Sequence, residues 1–318
     1  IILAIAFPDS RRRAQLAGSL TNLQRLGAGA ADYAIDHADA APTLSWQAGI
    51  RYTCADGYSF PIATFDVDAA ANQGVCLLRE LTGRTDITQI SPGWMPYPSY
   101  NQLVLMQYLG EALPSSLVVS PGDRLRLVWQ RDVRENPSNP VQFCTSRVSG
   151  NAARRWPYSS SYEMAPAFSG PDAAMNGVPT ISQGASHSVW NAGNGNTRLG
   201  RRVMSEVRFP SQKAMMYETN QRFFGQRELF FLYAEARVPV LMTDGSASVR
   251  SISQANRGFD PNVPSSNASP HFPYAPDTSW ESPTRSGAAQ EFVTGYTRWT
   301  RSGLRGRDFG GPEVPWVP

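Results

Sequence analysis

Lysine is almost missing from this chain. Lys213 is the single lysine among 29 basic residues, and the others are arginine. The arginines are scattered, with one tight run at Arg11, Arg12 and Arg13. A basic stripe that could follow a phosphate backbone is therefore lacking, and a net charge of +3 supplies no strong field. Nucleic acid is not an expected partner. Histidine is equally scarce, at His37, His187 and His271, and no H-E-x-x-H occurs, which excludes a zincin. Ser186 and Ser188 flank His187, but the second glycine of a nucleophile elbow is absent, so this reads as a polar loop. The Gly-rich stretch from Asn191 to Asn196 lacks the flanking strand and helix that phosphate binding needs. Asp66 and Asp68 have the spacing of a calcium loop without its glycine and final glutamate, and Asp260 and Asp277 sit in no ligand pattern. The expectation is a protein that is not an enzyme and holds no cofactor or metal.

Cysteine is also sparse. Cys54, Cys76 and Cys144 form no C-x-x-C, which excludes a zinc ribbon or redox motif. Three cysteines allow one disulfide in three pairings, which an exported head would favour, and buried free thiols fit the sequence equally well.

Long hydrophobic runs are lacking too. The chain opens Ile1-Ile2-Leu3-Ala4-Ile5-Ala6-Phe7-Pro8, and these 8 residues fall short of the ~20 that cross a bilayer. The expectation is that they are the end of a longer apolar segment, with on the order of a dozen residues before them.

What is present is a long helical pattern. Asp9 and Ser10 can cap the stretch that follows Pro8. Leu16, Leu20, Leu23, Gly27, Ala30 and Ala34 recur at spacings of four and three, which defines one helix face, bulky early and small late. Arg11, Gln15, Asn22, Arg25 and Asp32 are assigned to the opposite face. The helix is expected to reach Asp36 or His37. Pro8 is expected to kink it or loosen a turn, because proline lacks an N–H and clashes with the preceding turn.

Glycine (26) and proline (25) are frequent, while charged residues make up 17%, so a loop-rich body with more strand than helix should follow residue 39. Helices are predicted over 66–82, stopped by Gly83, and over 99–113, stopped by Pro114. Strands are predicted at Leu117-Val118-Val119 and 125–129, around a turn at Ser120-Pro121-Gly122-Asp123, and at 213–218. Residues 238–243 and 246–250 flank Asp244-Gly245, a tight hairpin turn that needs positive φ at glycine. Pro239 should place its strand at an edge or start it late. Residues 258–284 form a Pro-rich extended segment with aromatic anchors at Phe259, Phe272, Tyr274 and Trp280. It either wraps its own head or touches a neighbouring subunit.

The N-terminal residues carry a family resemblance. The apolar run ending Ala4-Ile5-Ala6-Phe7-Pro8 leads through a polar-basic stretch to Leu20-Thr21-Asn22-Leu23-Gln24-Arg25-Leu26-Gly27, then Tyr33 and Asp36-His37. This resembles type IV pilins and type II secretion pseudopilins, of the large bacterial kind with a prepilin-type N-terminal methylation segment. The Asp244-Gly245-Ser246 hairpin resembles the end of such heads, although Ala234 stands where a histidine often does. The resemblance implies an α+β fold: a long N-terminal α-helix on a loop-rich head with antiparallel sheet. It divides the chain into an assembly helix, 1–38, and a head, 39–318.

The function it implies is a structural subunit that polymerises through its helix into a type IV pilus-like or pseudopilus filament. Ile1, Ile2, Leu3, Ile5, Phe7, Pro8, Leu16, Leu20 and Leu23 would serve membrane anchoring and assembly, and Asp244 and Gly245 the structural turn. Partners would be other copies of the chain, the inner membrane before assembly, and the pilus or secretion machinery. The location would be the inner membrane and then a cell-surface filament, or a periplasmic pseudopilus. The alternative is a membrane-anchored, exported binding protein that does not polymerise.

Overall fold

A computed structural model describes residues 2–87, 98–127, 158–171, 181–184, 187, 190–192, 198–264, 269–276 and 281–315, without the side chains of 2–8. Helix α1 spans Ile2–Asp36 as one element through Pro8, about 50 Å long at 1.5 Å per residue. Its sequence is rich in Leu, Ala, Arg and Gln, which lose little side-chain freedom in a helix. It ends because Ala38 and Asp39 turn to positive φ (52° and 68°), with Asp39 N–H donating to Ala34 C=O at 2.7 Å. Neither residue is glycine, so this cap costs about 1–2 kcal/mol per residue. The bonds Asp39 makes offset that cost. Its carboxylate accepts from Ser205 N–H and its carbonyl accepts from Met204 N–H.

Helix α2, Asp66–Thr82, matches the expected bounds and stops at Gly83 in the left-handed conformation. Cys54 and Cys76 form a disulfide that ties the preceding loop to α2, which selects one of the three open pairings. Cys144 lies outside the described residues.

The strands are β1 Tyr162–Met164, β2 Ile181–Gln183, β3 Trp190–Ala192, β4 Ala214–Glu218, β5 Asn220–Gln221, β6 Leu229–Phe230, β7 Arg237–Met242, β8 Ala247–Ser251, β9 His271–Tyr274 and β10 Glu291–Thr294. The main sheet has the order β1-β4-β7-β8, antiparallel throughout. Three two-stranded pairs, β2–β3, β5–β6 and β9–β10, surround it. The fold class is α+β, with α1 laid across the β7–β8 hairpin. Gly27 is where they come closest: a Cβ there would stand 3.0 Å from Leu241 Cδ1.

Several expected elements differ. Residues 99–113 are not an α-helix. Pro98–Leu105 is a 3-10 helix followed by turns, in which Leu103, Val104, Leu105 and Met106 are all buried. Leu117 and Val118 belong to the 3-10 turn Ser116–Val118, where the Ser115 hydroxyl accepts from Leu117 N–H and overrides their strand preference. Leu125 to Leu127 form a helical turn capped by Asp123, whose carboxylate accepts from Arg126 N–H at 3.2 Å. Residues 128 and 129 lie outside the described residues.

Pro239 is in an interior strand, not at an edge. Met242 N–H donates to Ser246 C=O and Ile252 N–H to Ala236 C=O, so even-numbered residues of β7 bond to β8. The nitrogen of Pro239 thus faces β4, where pairing stops at Tyr217↔Val240, and no ladder bond is lost.

Phe259, Phe272 and Tyr274 are buried in the common core, so the Pro-rich segment wraps its own head at those positions, while Trp280 lies outside the described residues. Among the described residues no helix is long and apolar enough to cross a membrane.

Candidate functional site

The seam between α1 and the head is where the sequence signal and the geometry meet. Ser19, Leu23, Leu26, Ala30 and Tyr33 form its buried stripe. Leu23 and Leu26 are both 0% exposed, packed in the core that α1 shares with its own head. Leu16, Leu20 and Ala34 lie at the flank of the same stripe, half-buried. The first turns hold Ile2, Leu3, Ile5, Phe7 and Pro8 in helical backbone. Ile1 lies outside the described residues.

Three residues assigned to the outer face instead bond to the head. Gln15 Nε2 donates to Pro121 C=O at 2.9 Å. Asn22 Nδ2 donates to Ser116 C=O at 3.1 Å and Val119 C=O at 3.2 Å. Arg25 pairs with Glu111 at 3.0 Å. Apolar periodicity could not place them, because polar residues that bond across a seam look the same in sequence as polar residues in water. The outer face that remains is Ala14, Ala17, Thr21, Gln24, Ala28, Ala31 and Ile35, all exposed.

Beneath the seam lies a buried polar chain. Ser19 Oγ donates to Glu218 Oε2 at 2.7 Å and sits 3.0 Å from the Tyr162 hydroxyl. Arg222 reaches Glu218 at 2.8 Å and Asp123 at 2.9 Å. Arg126 pairs with Asp123 at 2.7 Å, and Ser161 Oγ donates to the same carboxylate at 2.8 Å. Burial alone would raise the Asp123 carboxyl, but Arg222 and Arg126 beside it draw it down to about 2. Glu218 is raised, since its burial outweighs the pull of Arg222. Burial, then the Glu218 charge, also raises Tyr162. The turn at 120–123 that carries Asp123 forms as predicted, with Asp123 N–H donating to Ser120 C=O at 2.8 Å. Nothing in the sequence pattern tied Ser19, Asp123, Glu218 and Arg222 together.

A second buried pair lies deeper. Arg298 grips Glu163 through two bonds of 2.8 and 2.7 Å, and the Tyr217 hydroxyl donates to the same carboxylate at 2.7 Å. His187 Nε2 is 2.9 Å from Glu281, and Ser186 and Ser188 lie outside the described residues. His37 meets the Tyr108 hydroxyl at 2.9 Å on the surface.

Two of the aspartates considered for calcium, Asp66 and Asp260, are otherwise engaged. Asp66 accepts from Ala48 N–H at 3.1 Å and Arg198 N–H at 3.0 Å, and Asp260 accepts from Asn262 N–H at 2.8 Å. Asp277 lies outside the described residues. Among the described residues no group of three or more His, Cys, Asp or Glu side chains could hold a metal ion.

Asp244 and Gly245 occupy the hairpin tip. The loop has three residues rather than two: Gly245 N–H donates to Met242 C=O at 3.0 Å, and Gly245 has φ 84°. This is the turn-plus-bulge form, in which glycine takes the left-handed position. Comparison of the chain with protein-family models, curated proteins and solved structures finds no match to any of them.

Proposed function

We propose that this protein is a pilin-like structural subunit that assembles through α1 into a pilus-like or pseudopilus filament. In this reading the head is the outer shell. Assembly starts from the inner membrane with the help of pilus or secretion machinery, and the product is a surface or periplasmic filament. One observation carries the reading: the buried stripe that seals α1 to its head runs along one face only, from Ser19 to Tyr33, while residues 9–14 are exposed, with Gln15 and Arg12 reaching the head only at the carbonyls of Pro121 (2.9 Å) and Gly225 (3.4 Å). A helix of a self-contained globule has no reason to continue so far beyond its core. A helix that bundles with copies of itself does.

The test is electron microscopy of the native particle. A helical array with residues 2–30 bundled at the axis is the expected result. Ala28→Glu puts a charge on the outer face, and a surface change of this kind alters stability by about 0.5 kcal/mol or less. It should therefore leave thermal unfolding unchanged and abolish the array. Separate particles for the wild-type chain, with α1 tucked into its own head, would overturn the reading in favour of an anchored binding protein.

A further inference from the structure

Among the described residues, and His187–Glu281 aside, the other fully buried ion pairs of the seam and core use arginine as their cation: Arg126, Arg222 and Arg298. The exception is Lys213, the one lysine of the chain, which is 0% exposed. A guanidinium would supply charge equally well there and is less costly to desolvate. What lysine offers and arginine does not is an amine that becomes a nucleophile once it loses its proton in a dry site.

The partner is placed for that chemistry. Lys213 Nζ lies 2.9 Å from Asp308 Oδ2 and 2.5 Å from Thr300 Oγ. Thr300 Oγ donates in turn to Asp308 Oδ1 at 2.5 Å, so a proton path runs from Nζ through Thr300 to Oδ1. Ala214 N–H donates to Oδ2 at 2.8 Å, where negative charge would develop. Both segments are held by backbone bonds: Asp308 N–H and Phe309 N–H donate to Gln212 C=O at 2.8 and 3.1 Å. The reacting groups are thus fixed, buried and shielded from bulk water, conditions that raise effective concentration by many orders of magnitude.

We propose that Lys213 and Asp308 are a self-modification site, joined in the mature protein by an amide cross-link. A proton passes from the ammonium through Thr300 to Oδ1, leaving a neutral amine and a neutral acid. Nζ attacks Cγ, the Nζ–Cγ bond forms, and charge collects on Oδ2 against Ala214 N–H. A second proton leaves nitrogen by the same path, the Cγ–Oδ1 bond breaks, and one water departs. No oxidant, reductant or other reactant is consumed. The product welds β4 to the C-terminal segment across 95 residues.

The test is the intact mass of the natively produced protein, denatured and reduced. It should be lighter than its sequence by one water, and a digest should contain the Lys213 peptide joined to the Asp308 peptide. Thr300→Val, which keeps both reactants, should restore the full mass or slow the loss. The wild-type mass decides even where a variant fails to fold. A full-length mass equal to the sequence would overturn the proposal and leave an ion pair. So would a missing water that maps to Asp56-Gly57 or Asp244-Gly245 and returns in mild alkali, since that marks a succinimide.

Discussion

The buried carboxylate of Asp123 makes a quantitative prediction about acid stability. Its folded value is about 2 against an ordinary 3.8, held down by Arg222 and Arg126 despite burial. A depressed carboxylate favours the folded state above its unfolded value, and the advantage disappears as pH falls through its folded value. Stability should therefore be full above about pH 4 and drain away between about pH 4 and pH 2. A shift near two units is about 2–3 kcal/mol at 1.36 kcal/mol per unit. Glu218 works in the opposite direction, since its raised value means that the folded state holds its proton more tightly. That gain is made as pH falls toward the ordinary carboxylate range and is essentially complete before Asp123 begins to lose its own contribution, so it leaves the slope below about pH 4 to Asp123 and the other depressed carboxylates.

Asp123→Asn removes the first effect and leaves the second. The variant should lose about 3–5 kcal/mol at pH 7, because Arg126 and Arg222 each lose a buried partner. Its stability should then fall less steeply than the wild type's between about pH 4 and 2, the slope that remains coming from other carboxylates held low, Glu291 among them. The assay is urea unfolding of both proteins across this range. Equal slopes for wild type and variant in the acid limb would refute the argument. So would a variant as stable as wild type at pH 7.

Two further changes test the hairpin and the disulfide. A Cβ at Gly245 meets no atom within 4 Å, so the cost of Gly245→Val is chiefly the left-handed backbone, about 1–2 kcal/mol, and should appear as a lower unfolding midpoint that Gly245→Asn largely restores. The double change Cys54→Ser and Cys76→Ser opens a link that spans 22 residues and should cost about 3 kcal/mol in urea unfolding without altering the circular dichroism of α2.

The elements that were legible in the sequence are those fixed by local signals. Gly83 stops α2 because its left-handed cap needs no partner, and β4 and the β7–β8 hairpin follow from strand-prone runs around Asp244-Gly245. Residues 99–127 misled for one reason. Runs of apolar residues such as Leu103 to Met106 and Leu117 to Val119 suit a helix, a strand or a tight 3-10 turn, and at Leu117 and Arg126 the choice fell to Ser115 and Asp123, whose side chains accept from those backbone N–H groups. The α1 face was half legible. Leu23, Gly27 and Ala30 were placed correctly by spacing, but Gln15 and Asn22 reach backbone carbonyls that lie about 100 residues away in sequence, at Pro121, Ser116 and Val119. Distance along the chain hides such partners from any periodicity.

Those same polar contacts explain why α1 has one position on the head. Leu23, Leu26 and Ala30 would pack nearly as well after a slide of one turn, since apolar contact is non-directional. The polar groups would not. A shift of about 5.4 Å would part Ser19 from Glu218 and Asn22 from the carbonyls of Ser116 and Val119. It would leave a buried carboxylate without its hydroxyl donor, at a cost of about 1–3 kcal/mol, more for a charged group. It would also move Gly27 away from Leu241 and bring a larger side chain against the hairpin, where a single Cβ already meets Leu241 at 3.0 Å. The apolar stripe thus supplies adhesion and the polar chain supplies register. In the filament proposed above, the second would matter as much as the first, because slippage between helix and head would change the spacing of heads along the axis.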